Sequence, residues 1–194
     1  MKRISLLFLF FLVLITLQCC KEKLQVADWI KPGTQFIYEV NHQGTIYDFI
    51  VNILKLAPDL NYSWQMTDPV NIEGVVVITA SAMDSAYIHK NYYNAGEFST
   101  SDQTSGWLSR KSFQELKDNG STVIQNGYFG SQFELKLQET TTLPVMLNGE
   151  EIPLPVIYAE SENGFKYWVL NDSQYPVILH MILDFEINIK SITF

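Results

Sequence analysis

Apolar and polar residues alternate with a period of two along much of this chain, the spacing of a strand with one buried side. Phe36, Tyr38 and Val40 alternate with Gln35, Ile37 and Glu39, and Asn41-His42-Gln43-Gly44 supplies turn residues. Tyr47, Phe49, Val51 and Ile53 then alternate with Asp48 and Asn52, so the segment predicts a β-hairpin. Tyr62 to Met66 predicts a third strand, and the β-branched run Val75 to Ala80 a buried fourth. Asp84 to Tyr93 fits a helical turn as well as an extended segment, and Ser99 to Ser105 reads as a polar loop. Ser112-Phe113-Gln114-Glu115 has capping-box spacing and Gly120 stands where a helix would stop. A short helix is expected from about Ser109 to Asn119, with Phe113 and Leu116 towards the sheet.

The remainder reads as strands. Phe133 to Leu137 alternates, and Leu143 to Leu147 and Ile152 to Ala159 flank an Asn148-Gly149 turn. Glu162-Asn163-Gly164 turns into Phe165 to Leu170, and Asn171 to Pro176 is a loop. Val177 to Leu183 follows, and then Phe185, Ile187 and Ile189 alternate with polar neighbours. Several strands carry apolar residues on both faces: Ile46, Ile50 and Leu54 stand opposite Tyr47, Phe49, Val51 and Ile53. Such strands need a helix over one face, or a sheet that curls round an apolar interior. The expected fold is mainly β (α+β): a curved antiparallel sheet or half-barrel of about nine strands, with one or two short helices.

The first twenty residues follow a different pattern. Met1-Lys2-Arg3 is a basic start, and Ile4 to Leu17 is apolar apart from Ser5 and Thr16. This is the build of an export signal, and it is short for a membrane span of about 20 residues. Leu17-Gln18-Cys19-Cys20 resembles the lipobox of bacterial lipoproteins, with Gln18 departing from its preference for small residues. The resemblance implies acylation of Cys20, with Cys19 as the alternative. Acyl chains would tether the protein to a membrane, because two or more anchor stably where one is marginal. The domains expected are 1–20 as a lipoprotein-type signal peptide, 21–31 as a tether and 32–194 as a single β-rich domain. A non-aspartate residue after the acylated cysteine, here Lys21, is associated with sorting to the outer membrane, so a location in the cell envelope facing the periplasm or the surface is expected.

Charge narrows the partners. The chain of 194 residues carries a net charge of -8. Lys2 and Arg3 are two of its 13 basic residues, so loss of the leader leaves 11 against 21 acidic ones. That balance disfavours nucleic acid, and it disfavours docking on anionic lipid through a basic face.

The search for chemistry returns little. His42, His89 and His180 are the only histidines, and none has metal-ligand spacing to another. Cys19 and Cys20 are the only cysteines, so no loop can be stapled and no thiolate site assembled in the domain. Nucleophile-elbow and nucleotide-cradle motifs are absent. No catalytic residue, metal site or cofactor is therefore assigned. The aromatic residues offer a candidate binding set: Tyr38, Tyr47, Phe49, Trp64, Tyr167 and Trp168, with Trp107 and Tyr158 near them in the pattern. They could line an apolar pocket, and they equally fit the core of a small β domain.

The C-terminal third resembles uncharacterised bacterial envelope lipoproteins of the DUF3108-like kind, common in Bacteroidetes. The residues that carry the resemblance are Leu154-Pro155-Val156-Ile157-Tyr158-Ala159, Tyr167-Trp168-Val169-Leu170-Asn171-Asp172 and Tyr175-Pro176-Val177-Ile178-Leu179. It implies a curved sheet similar to the half-barrels of lipoprotein carriers, and no catalytic residue. Three functions follow as expectations. The first is a membrane-tethered, non-enzymatic protein that binds a lipid or other apolar ligand in its curved sheet. The second is a surface scaffold or assembly subunit with a protein partner, and the third a hydrolase with a non-standard site.

Overall fold

The computed structural model describes residues 26–90, 94–127 and 130–194. Residues 1–25, with the expected signal segment, Cys19 and Cys20, lie outside the described residues. The chain opens with a single helical turn, α1 (Val26–Trp29), and continues through β1 (Gln35–His42), β2 (Thr45–Lys55), β3 (Leu60–Met66) and β4 (Glu73–Ile78). Helix α2 (Ala80–Ser85) precedes β5 (Ile88–His89), β6 (Gly96–Thr100) and β7 (Gln103–Thr104). Helix α3 (Arg110–Asn119) leads to β8 (Ser121–Asn126), β9 (Gln132–Leu147), β10 (Glu150–Ser161), β11 (Lys166–Leu170), β12 (Ile178–Ile182) and β13 (Glu186–Thr193).

All thirteen strands join one sheet in the order β6-β4-β3-β2-β1-β13-β12-β11-β10-β9-β8-β5-β7. The mainly β class holds, with more strands than the nine expected. The additional strands are β5 to β8. They are short or polar and lack a sustained alternation, so Gly96–Thr100 and Gln103–Thr104 fall partly inside the segment that reads as a loop. The sheet is also mixed: β4 with β6, β5 with β7 and β8, and β9 with β13 run parallel.

Turn chemistry explains the hairpins. Gln43 and Gly44 have φ of 53° and 85°, and Asn148 and Gly149 have 49° and 87°. Two successive positive φ values match the right-handed twist of the flanking strands. The β9–β10 hairpin runs past the end of β11 and curls until Leu147 lies beside Ile192 of β13. Strands β13, β12, β11, β10 and β9 thus form a ring. The buried side changes along β10. Ile157, Ala159 and Ser161 are buried near its end, whereas Leu154 and Val156 are buried and Pro153 and Pro155 exposed in the overhang. The hairpin therefore rolls about its own axis as it closes the ring, a consequence of strand twist accumulated over a long ribbon.

Helix α3 occupies the expected range, Arg110–Asn119, although its cap lies three residues before the serine of the capping-box spacing. Ser109 is its N-cap, and its Oγ accepts from Ser112 N at 3.1 Å. Glu115, which that spacing assigns to the cap, accepts instead from the Thr122 hydroxyl at 2.6 Å. Gly120 ends the helix at φ 78°, and Phe113 and Leu116 are buried towards the sheet as expected. Packing begins within residues 21–31, the segment expected to be a tether: Trp29 and Ile30 are 1% and 2% exposed.

Candidate functional site: two aromatic assemblies

Period-two geometry places aromatic side chains on both sides of the sheet. On the inner side, Tyr38 pairs with Phe49 and Val51 with Trp64 across β1, β2 and β3. Their rings form a train: Phe36 to Tyr38 at 6.3 Å, Tyr38 to Phe49 at 6.2 Å and Phe49 to Trp64 at 6.1 Å between centroids. Trp107, on the connection into α3, closes over them at 6.3 Å from Phe36 and 5.1 Å from Tyr62.

The polar tips of these tyrosines are satisfied inside. Tyr38 Oη donates to the Ile178 carbonyl at 3.2 Å, and Tyr62 Oη to the Ser105 carbonyl at 3.3 Å. Burial, reinforced by Tyr62, holds the Tyr38 phenol far above its ordinary range. The cleft bounded by Tyr38, Phe49, Tyr62, Trp107, Met181 and Ile187 has room for about 20 Å³ of water-sized contents. That is space for one water, whereas drug-sized ligands occupy roughly 300 Å³ or more.

Of the six aromatic residues singled out from the sequence, Tyr38, Phe49 and Trp64 therefore meet in this train. Tyr47 lies on the same strand face, half-buried. Tyr167 belongs to a separate cluster, 6.4 Å from Phe133 and 6.0 Å from the ring of His89. His89 is buried, and its Nε2 has no hydrogen-bond partner among the described residues. Desolvation pushes its pKa down to about 4, so it is neutral at physiological pH. Among the described residues, no group of three or more His, Cys, Asp or Glu gathers as metal ligands would.

Trp168 stands on the opposite side. Successive residues of a strand point to opposite faces, so it cannot share a pocket with Tyr167. It pairs with Tyr158 of β10 and with His180 of β12. The three rings stack across the strands, Tyr158 to Trp168 at 4.6 Å and 20°, Trp168 to His180 at 4.2 Å and 12°. Those spacings are close to the separation of adjacent strands, so the rings stand side by side with their edges outward. Carboxylates hold both ends. Tyr158 Oη donates to Glu160 at 2.5 Å, and His180 Nε2 lies 2.9 Å from Glu186 Oε1. Burial and the neighbouring carboxylates of Glu160 and Glu139 push the Tyr158 phenol up to about 12. The ladder is half-buried, and the Glu186 side chain is 46% exposed. Sequence reasoning did not find this arrangement, because it depends on the register of three strands, one pairing of which shifts between Trp168 and Val169.

Compared with protein families, curated proteins and solved structures, the chain matches none.

Proposed function

We propose that this is an exported envelope lipoprotein, tethered through acylated Cys20, with a non-enzymatic binding role carried by the outer side of β10 to β13. The observation that carries the choice of surface is the contrast between the two assemblies. The inner train leaves space for one water, while the outer ladder presents aromatic edges between two partly exposed carboxylates. Aromatic groups in a polar rim are the composition of protein-binding patches. Lys166 and Ile182 stand in the row between Glu160 and Glu186, so the complementary partner is a protein that lays an apolar or aromatic side chain on the ladder and offers a basic or amide group to the partly exposed Glu186. The lipobox resemblance and the acidic balance of the mature chain support the tether and a partner other than nucleic acid.

The second reading, an apolar ligand enclosed by the curved sheet, draws on the inward aromatic residues. It requires Trp107 or the β9–β10 hairpin to swing away, since an acyl chain needs many times the space present.

Photo-crosslinking in the native host tests the surface. A crosslinker at Lys166 or Ile182, cross-strand partners in the row next to Trp168 and His180, is expected to give a discrete protein adduct that Trp168→Ala abolishes. The same probe at the exposed Tyr87 is expected to give none. Equal adducts at all three sites, or adducts indifferent to Trp168→Ala, would contradict this assignment.

A further inference from the structure

Leu54, Met146 and Phe194 are three of the six large apolar side chains left exposed among the described residues, at 48%, 38% and 38%. Leu54 and Phe194 lie just beyond Asn52 and Thr193, the two partners of Gln35, and so stand where the tether enters the sheet, while Met146 lies opposite Ser191, level with Ile37 two residues further in. Gly33 N donates to the Ile53 carbonyl at 2.8 Å, which sets Leu54 beside the entering chain. Phe194 N donates to Asn148 Oδ1 at 3.1 Å, and Met146 pairs with Ser191 on the same hairpin end. The exposed Lys31 holds its ammonium 5.1 Å from the Phe194 ring centroid. Trp29 is buried immediately before this point, and the Thr34 hydroxyl donates to its carbonyl, so the tether is fixed to this end of the domain.

The leash outside the described residues is short. Five residues, 21–25, separate Cys20 from Val26, and a chain extends at most about 3.6 Å per residue step. Val26, at the start of the turn that packs Trp29 into the domain, therefore lies within roughly 20 Å of an acylated Cys20. Such a leash holds the two at millimolar local concentration, so an apolar contact too weak to bind a free protein suffices.

We infer that Leu54, Met146 and Phe194 form a resting face that dips into the headgroup region of the bilayer holding Cys20. The inference rests on the tether proposed above. The contact is apolar and not ionic, because Asp28, Glu150 and Glu151 stand at the same end as Lys31 and Lys55. The lysine stems lie along the apolar surface with their ammonium groups at headgroup level. This posture turns the domain upright on the membrane and leaves the ladder facing sideways, open to a partner.

The test uses full-length acylated protein in a Cys19→Ser background, reconstituted in phosphatidylcholine vesicles. Single Leu54→Cys, Phe194→Cys and Ile46→Cys variants carry an environment-sensitive fluorophore. Ile46 is the control, 58% exposed and eight residues along the same strand face from Leu54. Labels at positions 54 and 194 are expected to be shielded several-fold from aqueous iodide relative to position 46, with no change in high salt. Equal quenching at all three positions, in protein that floats with the vesicles, overturns the resting face and leaves the tether standing. Protein that fails to float overturns both.

Discussion

The imidazole of His180 lies 4.2 Å from the ring of Trp168, with the two planes 12° apart and Glu186 2.9 Å from Nε2. Burial against the sheet lowers the pKa of His180, and the hydrogen bond and charge of Glu186 oppose that shift. Glu186→Gln removes the opposition and leaves the desolvation. The His180 pKa in this variant is expected to fall further below the ordinary histidine value, read from the ring protons by NMR titration. A value that stays the same or rises would show that Glu186 does not act on the ring.

His89 gives the fold a pH dependence with a definite sign. Its folded pKa is about 4, against 6.5 for an unburied histidine. Above pH 6.5 both states are neutral and no penalty exists. Between pH 6.5 and 4 the unfolded chain takes up a proton that the folded chain refuses, so stability falls as pH falls. The loss is about 3 kcal/mol across that window, at about 1.4 kcal/mol per pKa unit. Denaturant unfolding at pH 7, 5.5 and 4.5 checks it. The slope is expected to flatten in His89→Phe, compared with the wild type over the same window.

Gly74 is required by contact, not by its backbone angle. A Cβ there would stand 2.4 Å from the Gly96 carbonyl oxygen and 2.9 Å from the Trp64 ring. Gly74 and Gly96 are direct partners in the parallel β4–β6 pair. Gly74→Ala is expected to cost about 1–3 kcal/mol of unfolding free energy, as overpacking does, and to loosen the β6 edge first. Amide exchange at residues 96–100 locates the damage.

Trp29 tests where the folded domain begins. Its ring is buried 6.3 Å from Phe36 although it lies within the tether of the sequence reading. Trp29→Ala is expected to cost about 3–5 kcal/mol, the range for large aromatic truncations in a core. A loss below about 0.5 kcal/mol, as for an exposed residue, would place Trp29 outside the cooperative unit.

The hairpins at Gln43-Gly44 and Asn148-Gly149 were legible in the sequence because alternation and positive-φ turn residues are local signals. Gly120 marked the end of α3 for the same reason. Strands β6 and β7 were not legible. Their neighbours in the sheet are β4 and β5, parallel partners distant in sequence, and backbone pairing at a sheet edge leaves little mark on the side chains. The inner train of Tyr38, Phe49 and Trp64 followed from alternation on three consecutive strands. The ladder did not, since Tyr158, Trp168 and His180 become neighbours only through tertiary register. One local signal was available: adjacent Tyr167 and Trp168 cannot face the same way.

Intact mass of the full chain, taken from its native membranes and recorded under non-denaturing conditions, bears on the whole account most directly. A polypeptide that begins at Cys20, carries covalent acyl mass and holds no further small molecule is expected. A free, unmodified chain would contradict the tether, and a stoichiometric bound lipid would contradict the outer ladder as the binding surface and return the binding role to the inner face of the sheet.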